Sequence, residues 1–318
     1  MLTGRGLQTA GETRCLTAAL ALQVGRFIAN GVGATYLEGD IDDVRIYDTA
    51  LTAAQILAIA DNTAATYYPY FSDFTESFDT YADLALWMPF TSDETPDYID
   101  KGPLSNDGSQ TTAASQPTWS SADGGVYDFD GVDDFFTVTD SSSLDMNTEI
   151  SVFAWINYEV DGTVGIVSKG DSHASQVSLA YRMFAASNGR FAAIISDDGT
   201  LSSGTAKYYL SPNDTIANNE WHLVGYTLAS DTLKLYANGV RVPDGDLTKA
   251  YDATVSSLYN SAEPLMVGAI DYNASGTAYF EGGMDDVRLY NRALTLAQIL
   301  AVADNTAATY YPYFSGFT

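Results

Sequence analysis

Forty residues of this chain occur twice, and the distance between the copies limits what it can fold into. Residues 36–75 and 279–318 align without a gap, 243 positions apart, and 31 of the 40 are identical. The tail ADNTAATYYPYFS is the same in both. Solenoid repeats run to about 20–50 residues, so a period this long makes the repeating unit a whole domain. The spacing predicts a complete unit over 82–304 with a tail at 305–318. It also predicts the C-terminal part of a second unit over 1–62, joined by a linker at 63–81.

The repeated stretch has a local reading of its own. In Asp286–Tyr290, the two-residue period of a strand puts Val287 and Leu289 on one face and Asp286, Arg288 and Tyr290 on the other. Thr295 with Gln298 three positions on is a capping-box pair, so a short helix follows, with Leu296, Ile299, Leu300 and Val302 as its apolar stripe. Asn305 is its expected stop. Thr52 and Gln55 repeat the device in the first copy.

Upstream, short apolar segments succeed one another. Leu84–Phe90 reads as a strand that Pro89 confines to an edge or a bulge. Val126–Asp130 and Phe135–Thr139 follow, and Ile150–Tyr158 is apolar on both faces, as a central strand is. That pattern places Trp155 between two sheets. Further strands are expected at 163–168, 178–185, 191–196, 207–210, 221–228 and 233–236. Asn238-Gly239 marks a tight hairpin. Many close-spaced strands with one terminal helix predict an all-β sandwich.

Composition narrows the function classes. With 41 acidic against 14 basic residues, the formal charge is −27. Phosphate backbones and anionic membranes call for the opposite sign, so no nucleic acid and no membrane surface is expected as a partner. Asp outnumbers Glu 32 to 9, which suits turns and hard-cation sites more than helices. Cys15 is the sole cysteine, which excludes an intramolecular disulfide and a thiolate metal site. No apolar run has the length of a membrane span. Leu16–Val24 has some character of a signal-peptide core, but Gln23 interrupts it and no clean cleavage site follows. The repeat aligns Leu22–Gly25 with Leu265–Gly268, a strand.

Three landmarks, YDFDGVDDFFTV at 127–138, EISVFAWIN at 149–157 and NEWHLVGYTLASDTLKLYANGVRV at 219–242, precede the closing GGMDDVRLYNRAL. In that order they resemble the laminin-G-like, or concanavalin A-like lectin/glucanase, family. The resemblance covers roughly 82–304 and implies a jelly-roll β-sandwich with a short C-terminal helix. The family's functions span lectins, adhesins, pentraxin-like proteins, glycosidases and passive modules, so the fold alone does not select one.

The family's hydrolases carry Glu-x-Asp-x-Glu or a close variant, whose alternate carboxylates share one face of a strand. Glu38-Gly39-Asp40-Ile41-Asp42 lacks the last Glu, and its repeat at Glu281–Asp285 loses the Asp as well. His222 sits at the family's Trp-His strand start, a packing position, and His173 lies in a polar loop without a nucleophile motif. No enzyme is expected.

Calcium is the cofactor the resemblance implies, with Asp285 at a position that is a ligand in several relatives. The loop at 93–107 adds Asp97 and Asp100, among Asp93, Glu94, Asn106 and Asp107. The alternative for these acids is turn formation. Asp133 and Asp134 read as structural. A sugar site needs exposed aromatic faces, and Tyr181, Tyr208 and Tyr272 are candidates, beside Tyr158 and Tyr209. The alternative is that each packs in the sandwich.

The expected function is therefore that of a non-enzymatic structural or adhesion module built from tandem units, on a cell or virion surface or otherwise extracellular. Carbohydrate binding is the other molecular activity. A fragmentary unit exposes unpaired backbone and an apolar face. Its expected partners are the complete unit, other copies of the chain or another structural chain, besides surface glycans.

Overall fold

A computed structural model describes residues 26–28, 34–36, 83–170, 178–271 and 277–310. The chain divides into two compact units, Met1–Ala50 and Leu51–Thr318. Within the first, β1 (Arg26–Ile28) and β2 (Ala34–Tyr36) form an antiparallel hairpin with Arg26 opposite Tyr36. The linker, the first-copy capping pair and Cys15 lie outside the described residues.

The second unit starts with β3 (Leu84–Met88), β4 (Asp97–Tyr98), β5 (Gly108–Ser109), β6 (Thr118–Ser120), β7 (Val126–Asp130) and β8 (Phe136–Val138). The long strands β9 (Ile150–Tyr158), β10 (Val164–Lys169), β11 (Tyr181–Ala186) and β12 (Arg190–Ser196) come next. After them run β13 (Ala206–Leu210), β14 (His222–Ala229), β15 (Thr232–Ala237), β16 (Val240–Arg241) and β17 (Thr248–Asp252). The chain then forms β18 (Leu265–Val267), β19 (Ala269–Asp271), β20 (Thr277–Tyr279), β21 (Glu281–Tyr290) and helix α1 (Leu296–Tyr310).

Two large antiparallel sheets result, beside the small pair β19-β20. One runs β17-β13-β12-β11-β10-β18-β8-β5-β4, and the other β16-β15-β14-β9-β21-β7-β6 with β3 also paired to β21. Their facing side chains interdigitate in one core, with Val152, Ile156, Val224 and Leu289 from one sheet meeting Met183, Ala193, Ile195 and Val267 from the other. This is the sandwich the strand pattern predicts. Ile150–Tyr158 lies mid-sheet between β14 and β21, and Pro89 follows the last residue of β3, which pairs β21 alone. Asn238 and Gly239 both adopt positive φ, 52° and 76°, and turn β15 into β16. That is the backbone a two-residue hairpin with the right twist needs.

The closing strand makes one irregular step. Its first half pairs β7, Glu281 to Met284 against Asp130 to Tyr127, and its second half pairs β3, Val287 to Tyr290 against Met88 to Leu84. Between them, Asp285 faces Trp155 while Arg288 faces Phe153 on β9, so three residues advance against two. Asp286 sits in this bulge at φ +49°. The bulge lets one strand change partners without losing β9.

Two expectations are corrected. Trp155 is buried, but not between the sheets. It belongs to a separate cluster with Phe153, Leu223, Tyr290, Leu294, Ile299 and Val302, on the face that carries α1. Ile150, Val152, Ala154 and Ile156 point into the inter-sheet core instead. A strand apolar on both faces has two covers, and here the second is the helix. The helix itself passes through Asn305 to Tyr310. No Gly or Pro interrupts ADNTAATY, and Pro312 is the first residue able to stop it. The capping pair forms as expected: Gln298 Oε1 accepts the Thr295 N–H at 2.9 Å, and Thr295 Oγ1 accepts the Gln298 N–H at 3.4 Å.

Candidate functional site

The acids of the 93–107 loop are its fasteners. Asp100 is buried, and its two oxygens accept three backbone N–H groups, from Trp87 at 2.8 Å, Gly102 at 2.7 Å and Asn106 at 2.8 Å. Asp107 accepts the Asp100 N–H at 2.8 Å, Glu94 accepts from Ile99 N–H and Lys101 Nζ, and Asp93 accepts twice from Thr95. The Thr95 bonds hold the Asp93 carboxyl below the ordinary carboxylate range. Asp97 is exposed on β4 opposite Ser109. Asp285 is fully buried in β21, where its Oδ1 accepts the Asp286 N–H at 2.6 Å.

Among the described residues, one group of three carboxylates brings its oxygens within 4.8 Å of one another: Asp130, Asp133 and Asp134. Asp97, Asp100 and Asp285 are not gathered in such a group, and the Asp100 oxygens already accept three backbone N–H groups, whereas a calcium ion draws six to eight oxygens to one point. The Asp130 group is a turn. Asp130 Oδ1 accepts from Val132 and Asp133, Asp134 Oδ2 accepts the Asp130 N–H, and Asp133 accepts the Ser115 hydroxyl. The Val132 N–H first of all holds Asp130 below its usual range, whereas burial raises Asp134.

The tyrosines separate. Tyr181 is a core residue, with no exposed surface and its hydroxyl donating to Leu144 O at 3.0 Å, so it has no face for a sugar. Burial pushes its pKa well up. Tyr208 is half-buried on the opposite face of the same sheet, between Phe184 and Tyr251 at ring separations of 6.0 and 6.2 Å. Tyr209 points into the core and its hydroxyl donates to Asp252. Tyr272 and His173 lie outside the described residues.

The sequence reading missed a cavity at one rim of the sandwich. Three connections meet there: the β9–β10 loop, the β11–β12 turn and the long β13–β14 segment. Asp161 Oδ1 accepts the Asn188 N–H at 2.6 Å, and Asn188 O accepts the Asp214 N–H at 2.9 Å. Gly189 O accepts the Ile216 N–H, Tyr158 O accepts the Asn219 N–H, both at 2.9 Å, and Asn218 Nδ2 donates to Glu159 O at 3.1 Å. His222 secures the same segment, its Nε2 accepting the Ala217 N–H at 2.9 Å. The turn depends on Asn188-Gly189, both at positive φ, and a Cβ on Gly189 would meet Ile216 O at 2.6 Å. That Asn-Gly pair between two apolar runs is the signal that could have located the turn.

The cavity has a volume of about 600 Å³ and is lined by Asp161, Asn188, Gly189, Asn213, Asp214, Ile216, Ala217 and Asn218, with no lysine, arginine or histidine in its wall among the described residues. Tyr158, at the end of β9, is fully buried in the inter-sheet core, and its hydroxyl has no hydrogen-bond partner among the described residues. Burial raises the pKa of that hydroxyl, and the Asp161 and Asp214 carboxylates raise it further. The arrangement offers acceptors and amides in a concave wall.

The fold is a jelly-roll sandwich with a polar pocket at its rim. The chain belongs to the concanavalin A-like lectin/glucanases superfamily, whose model matches residues 130–300. Adhesion G-protein coupled receptor V1 of Danio rerio is 26% identical over 171 residues, 54% of this chain and 3% of the receptor. Two solved structures share the fold over 71% of this chain. The binding domain of botulinum neurotoxin serotype G has a TM-score of 0.53 at 13% identity, with 51% of that chain covered. Botulinum neurotoxin type C, whose cell entry depends on interaction with two ganglioside molecules, has a TM-score of 0.52 at 14% identity, with 52% covered. The chain thus spans about half of these toxin chains and a small part of the receptor. Among the described residues, no helix is long and apolar enough to cross a membrane.

Proposed function

We propose that the second unit is a non-enzymatic extracellular adhesion module that recognises surface glycans. The observation that supports this most is the rim cavity, whose wall carries hydrogen-bonding groups from three loops. The adhesion receptor and the ganglioside-dependent toxin add support by likeness, since both names describe contact with a cell surface. A glycan array with the full chain tests the reading. Saturable binding to a defined glycan set supports it, and a blank array against a positive lectin control removes it.

A second reading is a structural module in a head-to-tail series, at a cell or virion surface. It is favoured by β1–β2, which lies 243 residues before β19–β20 and has the same register: Arg26 opposite Tyr36, Ala269 opposite Tyr279. Concentration-dependent assembly in sedimentation velocity, without glycan binding, would favour it.

A further inference from the structure

Two Asn-Gly pairs lie among the described residues, and the fold treats their side-chain amides differently. Both pairs turn hairpins at positive φ, 66° and 61° at Asn188-Gly189 and 52° and 76° at Asn238-Gly239. Asn238 is half-buried, and its amide is engaged. Its Oδ1 accepts the Leu223 N–H at 3.0 Å, and its Nδ2 lies 3.2 Å from His222 Nδ1. The Asn188 side chain is exposed and makes no hydrogen bond among the described residues. The Gly189 N–H donates to none of them either.

We infer that Asn188 is a site of spontaneous deamidation, and that the reaction unlatches the rim. The Gly189 nitrogen gives its proton to hydroxide and attacks Asn188 Cγ. A new N–C bond forms, and the side-chain nitrogen departs as ammonia. Water then adds to either carbonyl of the five-membered imide and opens it, to aspartate or to isoaspartate. An amide and a water have become a carboxylate and ammonia, with no oxidant and no enzyme.

Sterics and hydrogen bonding select this pair. A side chain on the following residue crowds the attacking nitrogen, and glycine has none. At position 189 the turn admits nothing else, since a Cβ there would meet Ile216 O at 2.6 Å. The residue that the rim turn needs is thus the one that makes it labile. Backbone bonds brace both turns, so the side chains make the difference. At Asn238 the same attack must first take Oδ1 from the N–H of Leu223, a residue that is itself buried. Leaving that donor without a partner slows the reaction about tenfold relative to position 188.

The consequence follows from what Asn188 fastens. Its N–H donates to Asp161 Oδ1 at 2.6 Å, and its carbonyl accepts the Asp214 N–H at 2.9 Å. In isoaspartate the main chain runs through the side-chain carbon and gains a methylene. The former main-chain carbonyl becomes a free carboxylate, placed against Asp161 and Asp214. Like charges at a fastening weaken it, and the β13–β14 segment loosens.

The test uses the full chain, held native in mildly alkaline buffer at physiological temperature, beside a sample unfolded in urea. Trypsin cutting after Arg182, Arg190, Lys234 and Arg241 isolates residues 183–190 and 235–241 for mass analysis. In the native chain the first peptide gains about 1 Da, as aspartate and isoaspartate, about tenfold faster than the second. In urea the two convert at like rates. Equal conversion in the native chain overturns the assignment, and so does a native chain unconverted at 188 once the unfolded one has converted. A bias toward 188 that persists in urea overturns the role given to the fold. Amide exchange over residues 212–219 is faster in the aged chain than in the fresh one, with residues 150–158 unchanged. Unaltered exchange over 212–219 in chain converted at 188 overturns the unlatching.

Discussion

Trp87 on the first strand of the sandwich donates its indole N–H to Asp286 on the last, at 2.6 Å across 199 residues. The same carboxylate oxygen accepts from Arg288 Nε at 2.8 Å, and the guanidinium lies over the Trp87 ring at 5.1 Å. Burial works against the Arg288 charge, but the Asp286 carboxylate outweighs it and the guanidinium pKa is raised. Only the bulge aims Asp286 this way, and the result is a pin between the two ends of the domain. The bulge is the place where β21 changes partners.

Asp286→Ala therefore leaves Arg288 nearly buried without its countercharge. The expected cost is about 3–5 kcal/mol, the scale for breaking one side of a buried pair. Trp87→Phe removes one hydrogen bond but keeps the ion pair, and costs about 1–2 kcal/mol. Urea unfolding measures both. Equal costs for the two variants would show that the ion pair is not what the pin holds.

Trp155→Ala is expected to cost about 3–5 kcal/mol, as large aromatic truncations do. The location of Trp155 beneath α1 adds a sharper expectation. In double-mutant cycles it couples to Ile299→Ala, a member of its own cluster, and not to Met183→Ala in the inter-sheet core. Coupling to Met183 alone would return Trp155 to the position between the sheets.

His222 gives the pH dependence. Burial lowers its pKa from 6.5, outweighing the opposing influence of Glu220, and its Nε2 must be unprotonated to accept the Ala217 N–H. The unfolded chain binds a proton near pH 6.5 that the folded chain refuses until lower pH. The stability contributed is thus full above 6.5 and is lost as pH falls through the folded value. His222→Gln flattens this part of the stability profile, read by urea midpoints between pH 7.5 and 5. An unchanged slope would assign the acid sensitivity to other groups.

Asp100 is expected to act without a metal. Asp100→Ala frees three buried or half-buried N–H groups and lowers stability by about 2–4 kcal/mol. EDTA and calcium chloride leave the Tm of the parent chain unchanged. A Tm that falls with EDTA, returns with calcium and loses this response in Asp285→Ala would restore the calcium site that the family resemblance implies.

The sequence by itself determined whatever depends on a short period or a local rule. Alternation in VRLY put Val287 and Leu289 in the core, Thr295 and Gln298 capped the helix, and Asn238-Gly239 turned the hairpin. The 243-residue repeat carried over to two hairpins of one register. Tertiary structure decided whatever depends on which loop meets which. An apolar strand does not say what covers each face, so Trp155 lay under a helix that periodicity could not place. Tyr181 and Tyr208 look alike in sequence, and only the odd-even register of neighbouring strands buries one and half-exposes the other. Asp100 and Asp214 are both aspartates in polar loops. One is consumed by the backbone folded around it, and the other faces a cavity made by three segments that stand far apart in the chain. Contacts between distant segments leave no mark in a local pattern, which is why the strands could be read and the site could not.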